Sequence, residues 1–357
     1  MMRPRSAADR RSAGRIDGLS LSDRGPGQWA ASLTTRVLAS PIAGALTVGV
    51  RRAWPIFLFG WFAWQTYERI RFFLAPHFPL GLDARIYYRG VVAWLQGGNP
   101  WDATVMVGSA SFHYAGSPVT TVLLAPAALL SEDAFTGAWL ILTWVAAAWI
   151  LRRVHLPIWW LLFPPISEAL FSANPQLIVL ALILADRSWL AAVATALKVY
   201  AFIPLAGEGR WRAIGLAIAF NAATIVIAPG LWARYIDLFW TISSRLEYES
   251  NQGFSAFYFP GLLALTVVAL VLLALRDRRA AGWLAVPAAW PSSQLHYSTM
   301  ALPVMSPLLA FFLAIPIGRL PPAIIIVEVG RRLLAPTVTG YLDRRRGGAG
   351  SSAVAAD

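Results

Sequence analysis

The chain contains no cysteine, which excludes disulfides, iron–sulfur clusters and thiolate zinc sites. Histidine is scarce, with four at positions 77, 113, 155 and 296, too scattered for an HExxH-type metal site. Lys198 is the only lysine, so the basic charge is almost all arginine. Charged residues are 13% of the 357 residues, whereas 57% are hydrophobic and 17 are tryptophan. A soluble domain cannot keep such a composition in solution, and several runs approach the roughly 20 apolar residues that cross a bilayer.

The formal charge of +12 is large, but the arginines sit at segment ends and in the two tails rather than along one face. That distribution is topogenic and gives no reason to expect a nucleic-acid partner. The first thirty residues are arginine-rich and polar without an apolar core, unlike a cleaved secretory signal. Residues 1–50 are therefore expected as a basic cytoplasmic tail, partly disordered or interfacial, with 51–320 as the transmembrane unit and 321–357 as an amphipathic helix and cytoplasmic tail.

Arg51 and Arg52 precede the apolar run from Trp54, so the positive-inside rule makes the first helix run outward. Residues 37–50 are expected as a separate interfacial helix. A long polar loop follows at 75–116. Further spans are expected near 118–131, 134–151, 157–171, 175–186, 189–205, 211–229, 257–275, 281–293 and 298–317. The result is an all-α polytopic membrane protein of about ten transmembrane helices, with interfacial helices in its first outer loop. This parity places Arg210, Arg212, Arg276, Arg278, Arg279 and Arg319 in the cytoplasm, with Arg152 and Arg153 as the exception.

Three polar clusters then fall outside: the loop around Asp83, a loop from about 230 to 256, and Ser292–Tyr297. The last lies in a strongly apolar stretch, where polar groups are costly and mark sites; helix capping is the competing role for Gln294 and His296. Asp83 can accept a proton from an incoming hydroxyl or simply pair with Arg85 or Arg89. Asp102 is a weaker candidate for the same work. Lys198 reads as buried in an apolar helix, so its ammonium requires an anion or a water-filled cavity.

In order along residues 55–315, these clusters resemble glycosyltransferase family 87 of the GT-C superfamily, which includes polyprenyl-phosphate-mannose-dependent mannosyltransferases. Asp83, Tyr87-Tyr88 and Gly97-Gly98-Asn99-Pro100-Trp101 resemble its Asp, Tyr and Gly-x-x-Pro-Tyr pattern, with Trp101 in place of tyrosine. Tyr114 to Pro118, Asn174-Pro175-Gln176, Leu197-Lys198-Val199-Tyr200, Asn251-Gln252-Gly253-Phe254-Ser255 and Pro291 to Tyr297 are similar to later motifs, although Ala201 replaces a proline and Leu295 matches poorly.

The resemblance implies a GT-C bundle and an inverting hexosyl transfer on the outer side of the inner membrane. The donor is a polyprenyl-phosphate sugar, mannosyl or pentosyl, and the acceptor a glycolipid or envelope glycan. Asp83 is the implied base. His296 and Lys198 are implied at the phosphate, Tyr87, Tyr88 and Trp101 at sugar faces, and Asn251, Gln252 and Gln294 as further substrate contacts. No metal ligand and no cofactor beyond the lipid-linked co-substrate is expected. A transporter or flippase for a lipid-linked sugar is the alternative, and it predicts internal repeats and openings to both faces.

Overall fold

The computed structural model describes residues 41–73, 78–249, 253–291 and 293–334. The chain divides into two compact units, Met1–Phe57 and Leu58–Asp357. The described residues of the first unit are helical and belong to α1, Pro41–Phe73, which continues through Pro55. Residues 41–50 are thus part of the first helix and not a separate one.

In the second unit the polar stretch after α1 is built, not irregular. It contains α2, Leu82–Leu95, and an antiparallel hairpin of β1, Thr104–Val107, and β2, Ala110–His113, with Thr104 opposite His113. Leu82, Ile86 and Gly90 recur at four-residue spacing and form the inner face of α2. Leu82, Ile86, Tyr87, Trp101, Val105 and Tyr114 make a small core together with Leu231 and Ile242.

The helices that follow are shorter and more broken than apolar run length predicts. They are α3, Pro118–Leu123; α4, Glu132–Arg153; α5, Pro164–Ser172; α6, Gln176–Leu184; α7, Ser188–Leu197; and α8, Phe202–Gly207. Next come α9, Trp211–Ile227; α10, Pro229–Glu249; α11, Pro260–Ala289; α12, Pro307–Phe312; and α13, residues 320–334. A 3-10 run, Leu295–Val304, replaces much of the span expected at 298–317. The expected span at 118–131 is only α3 and a 3-10 turn, Ala125–Leu129. The expected loop at 230–256 is largely α10. Proline explains several of the breaks: Pro164, Pro229, Pro260 and Pro307 stand at helix starts, where the missing N–H costs nothing.

Among the described residues, α4 and α11 are long and apolar enough to cross a membrane. Two bent pairs qualify jointly: α5 with α6, at 113°, and α9 with the first part of α10, at 106°. Apolar side chains cover the outer faces of these helices, including Ile141, Val145, Val226, Val268 and Leu275. Such a belt is stable only against lipid. The protein is an all-α polytopic membrane protein.

Helix α4 defines two ends. Ser131 caps its start, where Glu132 and Asp133 complement the helix dipole, and Arg152 and Arg153 complement it at the finish. Glu132 pairs with Arg85 and Arg89 of the Asp83 layer. Arg153, 22 residues' worth of helix away, lines a cavity with Arg210 and Arg279. Arg152 and Arg153 therefore lie at the same end as Arg210 and Arg279, because 118–131 does not add a crossing. The break in α11 falls at this end too: Asp277 leaves helical geometry at φ −145°, and its carboxylate accepts from Ala280 N at 2.9 Å, restarting the helix.

Arg319 departs from expectation in the opposite direction. Its guanidinium lies 3.6 Å from the centroid of the Phe259 ring, and Phe254 N and Ala256 N donate to Ser293 O and Ala288 O, on the side of His296. Helix α13 then returns to the arginine end, where Arg332 donates to Val304 O and Arg276 to Leu333 O, each at 2.6 Å. It crosses between the two ends and does not lie along one surface.

Candidate active site

Asp83 stands in the first turn of α2. The preceding Gly81 has φ 75°, and a Cβ there would sit 2.5 Å from Thr136 Cγ2, so glycine is required both for conformation and for close approach. Its N–H donates to Phe171 O at 2.9 Å, which ties the start of α2 to the end of α5. Arg85 donates to Glu132 and Asp133, each at 2.9 Å, and Arg89 donates to Glu132 at 3.0 Å. Burial alone would lower the Arg85 pKa, but these bonds outweigh it and hold the guanidinium above its ordinary value. Both arginines are thus committed to α4, and Asp83 takes a different partner.

That partner is Asn174, in the bend between α5 and α6. Asn174 Nδ2 donates to Asp83 Oδ2 at 2.9 Å, and its Oδ1 accepts from Gln176 N at 2.9 Å. Left-handed Ala173, at φ 54°, ends α5 and turns the chain. One amide side chain therefore both restarts a helix and anchors the carboxylate.

Lys198 is not at mid-helix. It sits in extended geometry, φ −147° and ψ 113°, between α7 and a 3-10 turn. Its Nζ lies 5.8 Å from the ring centroids of both Tyr87 and Tyr297, at cation–π range. Burial pushes the Tyr87 phenol up and Lys198 pulls it partly back, leaving it above its usual value, so Tyr87 stays neutral at physiological pH.

His296 is 2% exposed. Its Nδ1 lies 3.3 Å from Glu168 Oε1, and Glu168 Oε2 lies 3.4 Å from Arg69 Nη2. The imidazole is 4.9 Å from the Tyr297 ring, which is 5.0 Å from that of Tyr200. His296 Nε2, the Tyr200 hydroxyl, the Ser298 hydroxyl and both polar atoms of the Gln176 amide are buried without a protein partner. Native interiors rarely leave such atoms unbonded.

The structure thus brings together Asp83, Tyr87, Lys198 and, through Tyr297, His296. Other expected residues stand elsewhere. The Tyr88 hydroxyl donates to Leu130 O at 2.7 Å, and its ring packs on Phe135. Trp101 is fully buried, donates to Gly116 O at 2.9 Å and packs on Tyr235, leaving no ring face open to a sugar. Gln294 is partly buried at the start of the 3-10 run. Asn251 and Gln252 lie outside the described residues. Asp102 accepts from Asn99 at 2.7 Å and pairs with Arg245 at 3.6 Å. Among the described residues no group of three His, Asp or Glu converges as a metal-ligand set.

Sequence reasoning left Asn174 without a role and passed over Glu168. The signal for Glu168 was present, a carboxylate inside the apolar run 157–171. Asn174 stood in a motif-like element, but its contact with Asp83, across 91 positions, was not legible from it.

A polytopic helical membrane protein with a carboxylate, an ammonium and an imidazole gathered at one end is the class that fold and site define. The chain belongs to glycosyltransferase family 87, whose model matches residues 112–316, and it is a membrane glycosyltransferase. The match takes in Glu168, Asn174, Lys198 and His296 and begins after Asp83, Tyr87, Tyr88 and Trp101. No curated protein and no solved structure matches the chain.

Proposed function

We propose that the protein transfers a mannosyl, or related pentosyl, residue from a polyprenyl-phosphate carrier to a lipid-linked or cell-envelope glycan, with inversion, at the outer face of the inner membrane. The observation that carries this reading is the Asp83 carboxylate, anchored by Asn174 and one helical turn before Tyr87, whose ring lies 5.8 Å from Lys198 Nζ. Family membership supplies glycosyl transfer. The gathering of Arg153, Arg210 and Arg279 at the opposite end supports a cytoplasmic location for that end by the positive-inside rule, and hence an outer location for Asp83.

In this mechanism Asp83 takes the proton of the acceptor hydroxyl as its oxygen attacks the anomeric carbon. The carbon–oxygen bond to the carrier phosphate breaks, and its electron pair leaves with the phosphate. Lys198 and His296 hold that phosphate as its charge grows. Asn174 donates to Oδ2 of Asp83, which fixes the carboxylate while leaving Oδ1 able to receive the proton. Tyr87, held neutral, orders the ammonium through its ring.

The test is to incubate membranes containing the protein with radiolabelled polyprenyl-phosphate mannose, and in parallel with the arabinose donor, and to extract the products. A labelled glycolipid or glycan that depends on the protein is expected from one donor. Protein-dependent movement of labelled donor across the bilayer with no product would favour the flippase.

A further inference from the structure

The arginine end holds a cavity of about 500 Å³ that the reaction does not use. Three guanidinium groups line it, each from a different part of the chain: Arg153 at the end of α4, Arg210 before α9, and Arg279 after the break in α11. Two carboxylates, Asp186 and Glu208, accompany them, which leaves a net positive lining. Arg276 and Arg278 face the adjoining space, with only Asp277 added on the acidic side.

The acids meet the arginines only in part, with Glu208 Oε2 standing 3.9 Å from Arg210 Nη1. Glu208 Oε1 is already taken by the Trp283 indole at 2.9 Å and by Arg279 Nε at 3.3 Å. Asp186, on the exposed rim, is 3.8 Å from Arg210, beyond hydrogen-bond distance. Arg210 Nη1 donates to Ile183 O at 2.6 Å, but its Nη2 is buried with no partner. A buried guanidinium N–H left over in this way calls for an acceptor. Arginine forks match the oxygens of phosphate better than those of any other common anion.

The other lining residues are apolar in type, with Leu156, Leu184, Leu302 and Met305 among them, although most of the exposed lining is polar. At one end of a membrane protein, such a mixed lining suits the headgroup and first methylenes of an amphiphile. We propose that this cavity binds the phosphate of an anionic membrane lipid, with the guanidinium groups on the headgroup and the apolar wall on its glycerol and first methylenes. Basic pockets between helices recognise anionic headgroups by this chemistry. The site is separate from the proposed donor site, because α4 puts roughly 30 Å between the two ends.

Native mass spectrometry of the full chain, released from micelles carrying phosphatidylglycerol or phosphatidylcholine, tests the proposal. One phosphatidylglycerol per chain is expected to be retained, and no phosphatidylcholine. Arg153→Gln with Arg279→Gln should weaken retention about tenfold or more. Arg279→Gln alone, at a side chain 58% exposed, should give a smaller loss in a protein that folds normally. The control is Arg187→Gln with Arg212→Gln, which makes the same charge change at exposed positions outside the cavity and should leave retention intact. Equal loss in the control, or equal retention of phosphatidylcholine, would overturn the site. Occupancy by inorganic phosphate at millimolar concentration, without retained lipid, would overturn its assignment to a lipid.

Discussion

At the scale of single residues, the ionisable groups were the most legible. Lys198 and His296 were marked by being charged or titratable in an apolar context, and both stand in the polar cluster at the Asp83 end. If Lys198 holds the leaving phosphate, Lys198→Met should raise the apparent KM for the lipid donor, lower turnover, or do both in initial-rate measurements on folded protein. Unchanged donor kinetics would leave it a structural residue. Aromatics were far less legible. Tyr87, Tyr88 and Trp101 are close in sequence and alike in chemistry, yet one meets Lys198, one bonds to Leu130 and one is fully buried. Residue type does not encode which face of a ring is covered, because that depends on partners such as Tyr235 that come from distant segments.

At the scale of elements, apolar run length located the helices but misjudged their continuity. A run holding a proline or a lone asparagine can be one crossing or two short helices with a turn between them, and hydropathy is nearly the same for both. The bend at Ala173–Pro175 is what brings Asn174 to Asp83. The layer above the bundle was read as loop because its helices are short and its hairpin is small, but it packs tightly. At Gly90 an added Cβ would meet the Tyr114 ring, whose hydroxyl bonds to Thr121 at 2.8 Å. Gly90→Ala should therefore cost about 1–3 kcal/mol by overpacking, read as a lower midpoint of thermal or denaturant unfolding. A neutral or stabilising effect would mean that the ring moves aside freely.

At the scale of the whole molecule, the all-α membrane class followed directly from composition, and the two-ended charge arrangement followed from the arginines. The parity error at Arg152 and Arg153 came from counting 118–131 as a crossing, and the misplacement of Arg319 from the unbroken span expected before it. Single cysteines test the corrected arrangement in a chain that has none of its own. Positions 102 and 319 should react with an impermeant thiol reagent from outside, and positions 153 and 212 only once the cytoplasmic face is opened. Labelling of 319 with the second group would return α13 to one surface. The proposed reading makes Asp83 the base, and Asp83→Asn tests it most directly, because the amide keeps an acceptor for Asn174 while losing its basicity. With protein amounts matched in membranes, transfer from the polyprenyl-phosphate donor should fall at least about a hundredfold while donor binding survives. Asp102→Asn, altered where Asn99 and Arg245 are held, should keep most of its activity. Near-normal transfer by the Asp83 variant would contradict the account.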